Sequence, residues 1–126
     1  SIDSLSLDEI RVSAPLQPNI NIHGTGFAGS IYSIAILTGW ALCMHIMQEF
    51  ELDAELVVGN AAIRYLAPVT GKLESRCRCS EAQRQAFRDR LHGSGKGRLE
   101  LEIEVGSKPQ ASLQATYFAV ARRSAT

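Results

Sequence analysis

A long, almost continuously apolar segment dominates the pattern of hydrophobic and polar residues in this sequence. It runs from about residue 27 to residue 50 without a proline, and it therefore predicts one long central helix. Apolar residues occupy all sides of that helix, which predicts burial on most sides. The most apolar part, Ile31 to Met47, is about 17 residues long, at the short limit for a membrane span. It also contains Ser33, Thr38 and His45, so the pattern favours a buried helix over a membrane-spanning one.

Strands are predicted on both sides of this helix. Ile10 to Leu16 predicts a first strand, and the preceding Ser6-x-x-Glu9 pattern predicts a capping box on one short helical turn. Ala54 to Val69 predicts a long strand in which Gly59-Asn60 supplies a bulge or kink. The helix thus lies between two strands along the chain.

Alternation of apolar and polar residues predicts three further strands. Residues 72–79 predict a half-buried strand, entered through a turn at Thr70-Gly71, and residues 98–105, "RLELEIEV", alternate strictly. Residues 111–121 are apolar on both faces in their second half, which predicts burial on both sides or an interface. In the predicted strand over residues 72–79, the inward positions are Leu73, Ser75, Cys77 and Cys79.

Short polar segments connect these strands. Ser80-x-x-Gln83 predicts the cap of a second helix that continues to about Leu91, and "GSGKG", Gly93 to Gly97, predicts a flexible loop. The resulting order of elements predicts an α+β fold, with one long helix on one face of an antiparallel sheet. Residues 1–126 are predicted to form a single domain.

The balance of charges limits the classes of partner. The chain has 13 basic and 13 acidic residues and no basic run, which disfavours nucleic acid and anionic membranes as partners. The first residue is Ser rather than Met, so we keep open a processed or excised fragment that a further domain once preceded.

The cysteines and histidines predict a reduced, cytoplasmic protein without a metal. Three cysteines form no disulfide framework, and Cys77 and Cys79 stand two residues apart in one predicted strand, a poor geometry for a mutual disulfide. No C-x-x-C or H-x-x-x-H pair occurs, so the sequence predicts no zinc site.

Residues 24–29, "GTGFAG", match the G-x-G-x-x-G pattern of dinucleotide-binding loops by their letters alone. That loop follows a buried strand, whereas "QPNINIH" before these glycines is polar, and the acidic Glu49 and Glu51 fall at the end of the helix. A dinucleotide site is therefore disfavoured. Glycines at the start of a helix still allow backbone N–H groups to approach an anionic group, such as the oxyanion formed when a thioester is attacked.

Two stretches resemble the hotdog-fold thioesterases, and most closely those of the YiiD C-terminal type. "PLQPNINIHGTGFAGSIYSIAILTGW", Pro15 to Trp40, is similar to the signature of that subgroup and to the H-G-G turn of other hotdog thioesterases, with Thr25 in place of the second glycine. "IRYLAPVTGKLESRCRC" is similar to the general hotdog pattern of a long strand, a proline, a glycine turn and a returning strand. Together they cover about a third of the chain, and the predicted order of elements agrees over the rest.

The resemblance implies a helix wrapped by a curved antiparallel sheet, a homodimer or tetramer, and active sites at the subunit interface that accept acyl-CoA or acyl-carrier-protein thioesters. It implies no metal or redox cofactor. His23, Gly24, Thr25 and Gly26 would form the turn whose N–H groups polarise the thioester carbonyl. Asn21 and His23 would position the substrate or water, because an imidazole titrates near neutral pH.

The sequence departs from many relatives of this kind in its catalytic acid. The segment from Asn19 up to Glu49 contains no carboxylate, and Ser30, Tyr32 and Ser33 stand near the expected position. Hotdog dehydratases pair a His with a Glu on the helix, and the position expected for that Glu after His23 is around Leu37, so a dehydratase is disfavoured. Ser30 is a candidate catalytic hydroxyl or an N-terminal cap, and Tyr32 and Ser33 are candidates for the lining of the substrate pocket.

The remaining candidates lie in the second half of the chain. Asn60 either faces the site from the partner subunit or shapes the strand bulge, and Lys96 and Arg98 are candidates for CoA phosphates, as are Arg76 and Arg78. We therefore expect a thioesterase that hydrolyses an acyl-CoA or acyl-carrier-protein thioester. The alternative is a non-catalytic acyl-thioester binder or regulatory dimer, which the missing carboxylate favours.

Overall fold

The computed structural model describes residues 1–15, 28–69, 72–106 and 108–122. In these ranges the chain forms six strands and two helices. They are β1 (Ile2–Leu5), β2 (Glu9–Ala14), α1 (Ala28–Glu49), β3 (Ala54–Tyr65), β4 (Leu73–Arg78), α2 (Glu81–Ser94), β5 (Lys96–Val105) and β6 (Ala111–Ala121).

All six strands form one sheet in the order β1-β2-β4-β5-β6-β3, and each neighbouring pair is antiparallel. Helix α1 lies against one face of this curved sheet and contacts β2, β3, β4, β5 and β6. The predicted α+β arrangement of a long helix wrapped by an antiparallel sheet is confirmed. Because β1 and β3 are the two edge strands, they lie on opposite flanks of the helix.

Alternation in β4 and β5 places the core as predicted. Four apolar side chains of β5 point towards the helix and are almost completely buried, and the glutamates between them lie on the outer face. Burial of each large side chain contributes about 1.5–3 kcal/mol. These four are Leu99, Leu101, Ile103 and Val105.

A buried polar contact and a close approach fix α1 against the sheet. The Thr38 hydroxyl lies 2.8 Å from Oγ of Ser75 in β4 and 2.6 Å from the Ile34 carbonyl oxygen. On another side of the helix, the Tyr117 hydroxyl of β6 donates to the Ile36 carbonyl at 2.8 Å. All these groups have partners, so the polar atoms do not destabilise the core.

The prediction that α1 is buried on most sides is wrong. One stripe of the helix is exposed, with Leu37 at 63% and Met44 at 46% of their accessible surface. Among the described residues, the sheet packs against the opposite side of the helix. Gly29–Glu49 is long and apolar enough to cross a membrane by length and composition, although half of its most apolar window is buried in the protein.

The amino-terminal segment forms a hairpin rather than a helical turn. The Ser6 hydroxyl accepts hydrogen bonds from the N–H groups of Asp8 and Glu9, each at 3.2 Å, between β1 and β2. The capping-box prediction for Ser6 and Glu9 is therefore wrong, because the same hydroxyl can satisfy a β-turn as well as a helix start. Strand β1, whose residues are all exposed, carries no apolar alternation that would have predicted it.

The prediction of a flexible loop over Gly93 to Gly97 is also wrong. Helix α2 continues to Ser94, a single Gly95 in the left-handed conformation (φ 79°) ends it, and β5 begins at Lys96. The predicted capping box is confirmed, since the Gln83 N–H donates to the Ser80 hydroxyl and the Ser80 N–H to the Gln83 side chain.

The long strand after the helix carries the predicted bulge. The pairing of β3 with β6 shifts register between Val58 and Asn60. Gly59 is needed there because a Cβ would collide with the ring of Phe118. The strand ends at Tyr65 rather than at Val69, and the predicted turn at Thr70-Gly71 lies outside the described residues.

Candidate active site at the start of the central helix

A cavity of about 560 Å³ lies beside the first turns of α1. The helix forms one wall, and the ends of β2 and β4 form the other, so segments distant in sequence meet there. Most of the lining is apolar, with three serine hydroxyls besides that of Ser1. The lining residues are Ser1, Val12, Ser13, Ala14, Gly29, Ser30, Ser33, Ile34, Leu37 and Leu73.

The electrostatics of this helix end favour an anion. No acidic residue occupies the first turn of α1, and Glu49 is the first charged residue along its length. The partial positive charge at the helix start is therefore not neutralised by a carboxylate of the helix itself. A carbonyl oxygen that develops negative charge would be stabilised in such a position.

The residues predicted to polarise the carbonyl cannot be placed. Asn21, His23, Gly24, Thr25 and Gly26 lie outside the described residues, so their assignment stays a prediction. The described part of α1 begins at Ala28, directly after this segment.

Of the three candidate residues predicted on the first turns of α1, Ser30 and Ser33 line the cavity and Tyr32 does not. Ser30 is half-buried and Ser33 is exposed, and both face the cavity. Ser30 is the third residue of α1, a position inside the first turn rather than before it. Tyr32, 37% exposed, does not belong to the lining of this cavity, because neighbouring residues of a helix point about 100° apart.

Asn60 and the predicted phosphate ligands lie away from this cavity within the chain. Asn60 follows the bulge of the edge strand β3 and pairs with Thr116, on the outer face of the sheet. Lys96 and Arg98 begin β5 at the end of the sheet where α1 ends, since Lys96 pairs with Val120 beside Ala54. One chain therefore does not bring them to the start of α1.

The other predicted cations are engaged in ion pairs. Arg76 lies 3.0 Å from Glu104 and donates to the Gly106 carbonyl at 2.7 Å, and Arg78 lies 2.6 Å from Glu9. The Arg78 guanidinium, with that of Arg11, holds the pKa of Glu9 below its usual value. A phosphate would have to compete with these carboxylates.

The cysteines are poor nucleophiles in this fold. Cys43, Cys77 and Cys79 are free thiols and buried. Burial raises the pKa of Cys77 to about 12 and that of Cys79 to about 11, and it also raises the pKa of Cys43. Since the thiolate is the reactive form, we exclude them from the chemistry.

A larger cavity, about 670 Å³, lies on the outer face of the sheet but has the chemistry of a solvated surface. Three glutamates of β5 and two arginines of β4 line it, and both arginines are already paired with carboxylates. We therefore place the candidate site at the start of α1. No pattern in the sequence predicted either cavity, because each is formed by residues far apart along the chain.

Solved structures with the same architecture define the class of protein. A protein of unknown function from Chlorobaculum tepidum TLS superposes with a TM-score of 0.91 at 28% identity, over 96% of this chain and 82% of that chain. A putative thioesterase from Shewanella oneidensis superposes with a TM-score of 0.79 at 37% identity, over 95% and 82%. A probable thioesterase from Pseudomonas aeruginosa shares the fold, with a TM-score of 0.81 at 20% identity over 96% and 82%. The protein is thus a hotdog-fold protein of the thioesterase superfamily.

Within that superfamily, residues 1–121 match the family described as "Putative thioesterase (yiiD_Cterm)". The chain belongs to this family. The resemblance inferred from Pro15 to Trp40 is therefore confirmed over almost the whole chain.

Proposed function

We propose that this protein hydrolyses the thioester of an acyl-CoA or an acyl-carrier protein. The observation that carries the proposal is the mainly apolar cavity at the start of α1, in a chain of a thioesterase family. The cavity offers apolar walls to an acyl group and the start of a helix to its carbonyl. Thioester hydrolysis needs both, together with a water molecule.

The reaction follows from these elements. N–H groups of the turn predicted at Gly24 to Gly26 would polarise the carbonyl, and each donor aimed at the oxyanion lowers the barrier by about 2.7–4 kcal/mol. His23 takes a proton from water, with Asn21 or Ser30 orienting it, and the water oxygen attacks the carbonyl carbon. The tetrahedral oxyanion then collapses, the carbon–sulfur bond breaks, and the thiolate leaves and takes up a proton.

A homodimer, with a tetramer as its further assembly, is part of the proposal. Strand β3 is 12 residues long, and among the described strands only β6 pairs with it, so its outer edge faces no strand. Long exposed edges of this kind pair with a second chain unless they are blocked. If two copies of β3 pair antiparallel, the first residues of one copy lie beside the last residues of the other. The first residues of the partner's β5 then lie at the end of the sheet where α1 starts.

That exchange supports the remaining predicted contacts. Lys96 and Arg98 of the partner subunit would lie at the end of the sheet where α1 starts, and there they would meet the CoA phosphates. Asn60, near the middle of β3, would lie at the joint between the two chains. Tyr32, outside the cavity lining of its own chain, would complete the site from the flank that faces the partner.

A non-catalytic acyl-thioester binder remains the second candidate. It is favoured by the absence of a carboxylate on α1 before Glu49. In that case the cavity and the helix start would bind the thioester without delivering water.

A panel of acyl-CoA thioesters, followed by release of free thiol, separates the two candidates. We expect turnover, and we expect His23→Ala to lower kcat at least tenfold, because general base catalysis typically contributes about 10²–10⁴-fold. The matched control is His92→Ala, an exposed histidine in the last turn of α2. Unchanged turnover in His23→Ala would remove His23 from the mechanism, and tight binding without thiol release would favour the non-catalytic binder.

A further inference from the structure

A second cavity, of about 420 Å³, lies farther along the same helix. Four apolar side chains of α1 and the turn after it, Ala41, Met44, Met47 and Leu52, line it, and Leu5 of β1 forms a wall. Its full lining consists of Leu5, Ala41, Met44, His45, Met47, Gln48, Leu52, Asp53, Ala54 and Arg122.

The two cavities lie on one face of α1. Leu37 lines the first and Ala41 the second, and residues four apart on a helix lie one above the other at a distance of about 6 Å along the axis. Ser33 and Met44 continue this stripe in both directions. The β1–β2 hairpin forms a common wall, with Val12 at the first cavity and Leu5 at the second. The two cavities are thus aligned along α1 beside the same hairpin, and we refer to the aligned pair as the groove.

The chemistry of the groove suits an uncharged chain. No charged residue occurs on α1 from Ala28 to Gln48, and at the far end Arg122 pairs with Asp53 at 2.8 Å. From Ser30 to Ala41 the helix rises about 17 Å, and to Gln48 about 27 Å. The groove is thus long, apolar along its floor and bounded by an ion pair.

A partner subunit is not needed to cover this groove. The β1–β2 hairpin belongs to one edge of the sheet, whereas β3, which pairs with β6 on its inner side, is the other edge. A second chain joined through β3 would approach the opposite flank of α1. The groove also begins at the helix start, where the thioester carbonyl is placed under the proposed function.

We propose that the acyl chain of the substrate lies along this groove and that Ala41 is a specificity-determining residue for long acyl chains. The inference rests on the proposed function. With the carbonyl at the start of α1, a short acyl group occupies the first cavity, and a long one passes Leu37 and Ala41 into the second. Ala41 stands one helical turn after Leu37 and carries a small, half-buried side chain, so a larger side chain there would narrow the passage.

The test compares acetyl-CoA and palmitoyl-CoA in wild type, Ala41→Phe and a control, Ala82→Phe, whose alanine is exposed on α2. We expect Ala41→Phe to lower kcat/KM for palmitoyl-CoA at least tenfold, because loss of apolar contacts discriminates by about 10–200-fold per methylene. Hydrolysis of acetyl-CoA should stay within about twofold of wild type. The control should change neither value.

The outcomes separate this inference from the function on which it rests. If wild type hydrolyses thioesters and Ala41→Phe changes both substrates equally, or neither, the groove does not hold the acyl chain. If wild type releases no thiol from any substrate, the proposed function fails. The Kd values of the two acyl-CoAs then test whether the groove binds the acyl chain. A wild-type preference for palmitoyl-CoA that Ala41→Phe abolishes would support the groove, and no preference would overturn it. Should Ala41→Phe not fold, Met44→Trp at the exposed Met44 takes its place with the same expectation.

Discussion

At the scale of single residues, the glycine in the middle of α1 has a packing role that the pattern of apolar and polar residues does not reveal. A glycine inside a helix is less favourable than alanine by about 0.8–1.0 kcal/mol. Gly39 nevertheless stands where the fully buried Tyr117 of β6 packs against the helix and donates to the Ile36 carbonyl. The missing side chain lets the strand approach, so the local disadvantage is offset by packing.

We expect Gly39→Ala to destabilise the protein by about 1–2 kcal/mol, since overpacking typically costs about 1–3 kcal/mol and exceeds the gain in helix propensity. The new Cβ would stand 2.6 Å from Cζ of Tyr117. The measurement is urea unfolding, with Gly93→Ala as the matched control. A Cβ at Gly93 in α2 meets no atom within 4 Å, so there we expect a gain of up to about 1 kcal/mol. Similar gains in both variants would show that Tyr117 does not need this glycine.

At the scale of elements, the alternation of apolar and polar residues and the capping motifs predicted those features that depend on the local sequence. The burial of β5 and the cap at Ser80 were predictable because each depends on residues close together in sequence. The bulge was predictable from Gly59-Asn60, although the ring of Phe118 that requires the glycine is distant in sequence. Strand β1 was missed because its four residues are exposed and it is held only by pairing with β2.

The candidate site was less predictable than the fold. The position of Ser30 near a helix start followed from the apolar pattern, but the cavity did not, because it needs β2 and β4 to meet α1. The exposed stripe at Leu37 and Met44 was also unpredictable, since an apolar helix does not reveal which side a curved sheet leaves open.

The single-residue connection between α2 and β5 gives a prediction at this scale. Gly95 adopts φ 79°, and its N–H donates to the Leu91 carbonyl. We expect Gly95→Ala to lower the free energy of unfolding by about 1–2 kcal/mol, the usual penalty of a left-handed conformation for an L-residue. Space is not the cause, because a Cβ there would lie 3.9 Å from its nearest neighbour. Gly95→Asn should lose less, since Asn tolerates this conformation better, and equal losses in urea unfolding would contradict the conformational explanation.

At the scale of the whole molecule, the two sheet edges differ in a way that concerns assembly. One edge, β1, has four residues, whereas the other, β3, has 12 residues, and each pairs with its neighbour through one register shift. Short, irregular edges resist pairing and long ones favour it. The proposed carbonyl site and acyl groove lie on one flank of α1, and on the other flank the outer edge of β3 is where a second chain would pair.

We expect the protein in solution to have at least twice the mass of one chain, and we expect Val57→Lys with Ala62→Lys to shift it towards the monomer. Both residues are exposed on the edge strand β3, on either side of its bulge, so lysines there would bring like charges across the joint between two antiparallel copies. The control is Gln114→Lys with Val120→Lys, which adds the same charge to exposed positions on the same face of the inner strand β6. Light scattering coupled to size exclusion measures the masses. A dimer that survives the β3 substitutions unchanged would place the interface elsewhere, whereas a monomer that also loses thioester hydrolysis would show that the site needs both chains.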